Sequence, residues 1–84
     1  MTATFEDVVR AARMLIEQPL SFSVDSFIKV VEEWLESLPE NLKDSYVGFF
    51  SPSGAKAVRR RDLPRVLRED PEFRERFVRM LAGR

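Results

Sequence analysis

The sequence predicts a mainly α, compact domain of four or five helices, with room for one small β-hairpin around residues 47–58. Three observations lead there. Apolar residues recur at three- and four-residue spacing through most of the chain. Thr, Ser or Asp stands where each helix would begin. The one stretch that fits no helix, Tyr46 to Arg61, contains the turn sequence Ser51-Pro52-Ser53-Gly54.

Thr4 precedes Phe5, Val8, Val9, Ala12, Leu15 and Ile16, which lay one apolar stripe along a first helix, with Glu6 and Asp7 in its opening turn. Pro19 cannot continue the hydrogen-bond ladder and stops that helix near Gln18. A short connection leads to Ser23, a second cap, with Phe22 placed to staple onto Phe27. Val24, Phe27, Ile28, Val31, Trp34, Leu35 and Leu38 form the apolar stripe of the second helix, and Asp25, Lys29, Glu32, Glu33 and Glu36 its polar face. So short a connection predicts an antiparallel pair.

Ser37-Leu38-Pro39-Glu40 reads as a capping box opening a third, shorter helix through Leu42 and Tyr46, ended by Gly48. The Pro-Gly turn then joins Val47–Phe50 to Ala55–Val58, as a hairpin or an ordered loop. Asp62-Leu63-Pro64 starts a fourth helix, and Asp70-Pro71 a fifth with Phe73, Phe77, Met80 and Leu81 on one side. Glu72 with Arg76 and Glu75 with Arg79 support its outer face, and Gly83 stops it.

Length and composition bound the function. Eighty-four residues make one domain, of a size that buries only about 60% of its unfolded surface. With no cysteine and no histidine, disulfides, thiolate and imidazole metal sites and the usual nucleophile–base pairs are excluded. The three glycines include no phosphate-binding loop. A non-enzyme is expected, with no cofactor and no small-molecule substrate. No apolar run is long enough to span a bilayer, so an intracellular, cytoplasmic protein with no membrane partner is the expectation.

A formal net charge of zero hides a division. Residues 1–45, the acidic helical half, carry 4 basic and 9 acidic groups, and residues 46–84 carry 10 and 5. Within the latter, 46–61 is a joint and 62–84 a basic helical half. Such halves attract each other within a monomer or between copies, or offer a basic face to an acidic partner.

The leading functional expectation is therefore a protein-interaction or assembly module, binding another protein or itself by complementary charged faces. Glu32, Glu33 and Glu36 would supply the acidic face, and Phe49 or Phe50 an apolar anchor, because adjacent strand residues point to opposite sides. As a metal or general-acid site the three glutamates have no second carboxylate cluster facing them, and a solvated helix face is the plainer reading. Trp34 falls in the apolar stripe and reads as core.

The alternative is nucleic-acid binding through Lys56, Arg59, Arg60, Arg61, Arg65 and Arg68, where Arg61, Arg65 and Arg68 share one face if the fourth helix starts early. A pI of 6.3 counts against it. Tyr46, Phe49-Phe50-Ser51-Pro52-Ser53-Gly54, Lys56, Leu63 and Leu67 resemble the strand, turn and helix of methyl-CpG-binding domains. That family places an arginine four residues after the glycine, where this chain has Val58, and begins with strands, where this chain begins with helices. The likeness is local, and no family is assigned on it.

Overall fold

The computed structural model describes residues 3–51 and 54–83, apart from the side chains of Phe50 and Ser51. The chain runs through α1 (Phe5–Glu17), α2 (Val24–Glu36), α3 (Glu40–Lys43), β1 (Tyr46–Ser51), β2 (Gly54–Arg59), α4 (Leu63–Glu69) and α5 (Pro71–Ala82). A turn of 3-10 helix, Arg60–Asp62, leads into α4. This is the mainly α domain with a small hairpin that the residue pattern predicts.

The helix starts follow their capping chemistry. Thr4 Oγ1 accepts from the Asp7 N–H at 3.2 Å while Asp7 Oδ2 accepts from the Thr4 N–H at 2.8 Å, closing a capping box. Those bonds hold the Asp7 carboxyl below its ordinary range, the Thr4 backbone N–H contributing most. Ser23 accepts from the Ser26 N–H, and Asp70 from the Phe73 N–H with Pro71 as first helical residue. α1 ends before Pro19 as expected. Its apolar stripe ends sooner than the spacing implies, because Ile16 lies beyond the packed interface and is 49% exposed.

Two expectations are corrected. Ser37 opens no helix: it closes α2, its hydroxyl donating to the Trp34 carbonyl at 2.7 Å. α3 is only one turn, starting after extended Pro39. Nor does Gly48 end a helix. Tyr46 and Gly48 lie in β1, where one turn of isolated helix cannot compete with a paired strand. Asp62 precedes α4 without a side-chain cap bond, since the 3-10 turn already supplies the bend.

The hairpin is antiparallel and in simple register, Tyr46 opposite Arg59, Val47 opposite Val58, Gly48 opposite Ala57 and Phe49 opposite Lys56. It is longer than the predicted Val47–Phe50 and Ala55–Val58 at both ends. Gly54 has φ +123°, a conformation that side chains resist. The type I turn expected at Ser51-Pro52-Ser53-Gly54 falls partly outside the described residues.

The core joins all the longer elements. α1 packs on α2 and α5, α2 on α4, and α4 on α5. Phe5 at the start of α1 meets Trp34 near the end of α2, with ring centroids 5.4 Å apart, and Phe5 shares a cleft with Met80 and Leu81 near the end of α5. α1 is thus antiparallel to both neighbours. Phe27, Ile28, Val31, Leu63, Leu67, Phe73 and Leu81 are fully enclosed, and an aromatic chain Phe49–Phe73–Phe77–Phe27 ties the hairpin through α5 to α2. An isolated two-stranded hairpin is marginal in water. Here Val47, Phe49 and Val58 rest on the helical core.

Candidate functional site

The arginines expected to form one phosphate-binding face do not converge. Arg61 Nε meets Asp44 Oδ1 at 2.8 Å and its Nη2 meets Glu40 Oε2 at 3.2 Å. Arg68 Nη2 reaches Glu32 at 3.3 Å and Asp25 at 3.5 Å. Arg65 turns to Glu69 on its own helix. Lys56 leaves the hairpin to bond Asp70 at 2.6 Å, so one carboxylate caps α5 and fastens β2. Arg59 stays on the outer face, its Nε donating to the Tyr46 hydroxyl at 3.3 Å with the guanidinium 5.9 Å from that ring.

This pairing sets the charge states. Asp44 is held below the ordinary carboxylate range by the hydrogen bond from Arg61, Glu40 by those from Lys43 and then Arg61, and Asp70 by Lys56 and then the Phe73 N–H. Lys56 and Arg61 are raised by the same bonds.

The acidic set is dispersed as well. Glu32 is taken by Arg68, Glu33 lines a groove between α1 and α2, and Glu36 is exposed. Among the described residues no group of three or more carboxylates is placed to hold a metal ion. Phe49 is half-buried, packed on the helical core in an edge-type contact with Phe73, ring centroids 4.9 Å apart. The other proposed anchor, the Phe50 side chain, lies outside the described residues.

Concave surfaces among the described residues include two with largely apolar lining. The first, about 440 Å3, runs between α1 and α2, with Ala11, Met14, Phe22 and Val30 as apolar lining and Asp7, Arg10 and Glu33 as charged lining. The second, about 370 Å3, sits where the start of α1, the ends of α2 and α5, and the hairpin meet. Phe5, Trp34, Val47, Phe77, Met80 and Leu81 line it, and Arg60 is its sole charged member. The chain matches no family model, no curated protein and no solved structure. The reading of function therefore rests on these surfaces.

Arg60 is unlike the other cations. Its Cζ stands 5.5 Å from the Trp34 ring centroid, its Nε is buried without a hydrogen-bond partner, and its Nη1 has only a 3.4 Å contact with the Leu42 carbonyl. Its backbone N–H is fixed on the Ser45 carbonyl at 2.8 Å, which pins the 3-10 turn against the loop after α3. No sequence spacing brings Arg60 and Trp34 together. The only local signal was a basic run too long to be matched by neighbouring carboxylates, and it did not distinguish Arg60 from Arg59 or Arg61.

Proposed function

We propose that this domain is a non-catalytic protein-interaction module whose partner is a second copy of itself, docked across the α1–α2 groove. The observation that carries this reading is the groove, with exposed Met14 and half-buried Phe22 on its wall, together with the fully exposed Leu20 in the same connecting turn as Phe22. Large apolar side chains left in water at one end of a helix pair favour burial against another protein. The groove carries both signs of charge, Arg10 pairing with Asp7 at 3.4 Å while Glu33 has no cation partner among the described residues, so a second copy related by a two-fold axis through the groove offers complementary charge to both walls. A formal net charge of zero leaves no overall repulsion to oppose it.

Docking by the acidic and basic halves as whole faces is not favoured, because Lys56, Arg61, Arg65 and Arg68 already have carboxylate partners within the molecule. The same pairing counts against nucleic-acid binding, where those cations would have to leave carboxylates for phosphates. Sedimentation equilibrium over about a thousandfold range of concentration tests the proposal. The wild type is expected to pass from monomer to dimer, and Met14→Glu with Leu20→Glu to stay monomeric with an unchanged circular dichroism spectrum. A wild-type chain that is monomeric throughout overturns it.

A further inference from the structure

The cleft at Trp34 and Arg60 shares no lining residue with the α1–α2 groove, and we propose that it is a binding site for a small apolar monocarboxylate. Three properties select that chemistry. The walls are aromatic and aliphatic, from four separate elements, and the volume of about 370 Å3 lies within the roughly 300–1,000 Å3 of small-molecule sites. The polar supply is one-sided. Arginine offers donors and no acceptor, and the Trp34 indole likewise only donates. A ligand that fits brings acceptors and no N–H or O–H of its own to bury.

The third property is that Arg60 is underused. Among the described residues it has no carboxylate partner, and its single side-chain hydrogen bond is the 3.4 Å contact to Leu42. The other arginines of the basic run, Arg59 and Arg61, are bonded at 3.3 and 2.8 Å. A buried donor without an acceptor is costly, and a charged one more so. A carboxylate bonded to the guanidinium, with its hydrocarbon body against Phe5, Phe77 and Met80, gives Arg60 the anionic partner that no described residue supplies and covers the apolar wall in one step. A peptide segment passing through the cleft would bury backbone N–H groups for which the lining has no side-chain acceptor.

The single tryptophan of the chain forms one wall and serves as the reporter. Titrating the wild-type protein with decanoate is expected to change Trp34 fluorescence saturably. Methyl decanoate and decylamine are expected to bind roughly ten- to a hundredfold more weakly, the loss that follows from removing a charged hydrogen bond. Arg60→Gln, checked for folding by its thermal melt, is expected to bind decanoate as weakly as the wild type binds the ester. The ester comparison needs no variant and holds even if Arg60→Gln fails to fold. An ester that binds as tightly as the acid, the absence of saturable binding, or tighter binding of an N-acetylated apolar peptide each overturns the assignment.

Discussion

Gly48 decides how closely the two strands of the hairpin approach. A Cβ at that position would sit 2.7 Å from the Lys56 carbonyl oxygen and 3.4 Å from both Cα and Cβ of Ala57. The obstructing atoms belong largely to the opposite backbone, so the strands must separate to admit even a methyl group. Gly48→Ala is expected to cost about 1–3 kcal/mol, as overpacking does elsewhere, and to lower the melting temperature by about 4–8 °C for each of those. A melt matching the wild type would show that the strands part freely. From its neighbours alone, Gly48 is equally suited to ending a helix after Leu42 and Tyr46, and only the strand opposite reveals its role. Phe49 and Trp34 divide the same way. Strand alternation and helical spacing anticipate one inward phenylalanine and a core tryptophan, but neither pattern indicates that Phe73 receives the first or that Arg60 covers the second.

Helix starts were legible where the capping residue had no competing neighbour. Thr4, Ser23 and Asp70 each accept from the N–H three residues on. Ser37 has the same local sequence grammar and a different role. α2 runs through Glu36, so the Ser37 N–H is already bonded to the Trp34 carbonyl at 3.1 Å and its hydroxyl donates to that same oxygen. With Pro39 extended, the chain restarts for one turn only. These roles separate under substitution. Ser23→Ala removes an acceptor from an otherwise unpaired helical N–H and is expected to cost about 1 kcal/mol. Ser37→Ala removes a second donor from a carbonyl that keeps its backbone bond, and is expected to cost less than half as much as the cap. Urea denaturation of the two variants beside the wild type gives the comparison. Equal losses, or a larger loss at Ser37, would restore Ser37 as a true cap.

At the scale of the molecule, the division into an acidic and a basic half was visible in the sequence, but the level at which the halves meet was not. Composition is equally consistent with attraction within one chain and between copies; the path of the chain decides it by bringing the 3-10 turn beside α3 and α4 beside α2. Arg61 then spans to Asp44 and Glu40, and Arg68 to Asp25 and Glu32. These pairs are exposed, so each contributes little to stability in water and salt. Their trace is in pH dependence. Asp44, Glu40 and Asp70 have folded values below the ordinary one, through Arg61, Lys43 and Lys56 respectively as the leading causes. A carboxyl depressed on folding stabilises at pH above its unfolded value, about 4, and that contribution is lost as the pH falls through the lower folded value. Stability is therefore expected to be level near neutrality and to decline below about pH 4. Arg61→Gln isolates the link between the halves: its deficit relative to the wild type is expected at neutral pH and to shrink toward about pH 2, as Asp44 and Glu40 take up protons through their lowered folded values. Urea titrations followed by Trp34 fluorescence at the two pH values measure it. A deficit that persists unchanged in acid would mean that Arg61 holds the 3-10 turn to α3 by the packing of its stem, with its charge playing no part.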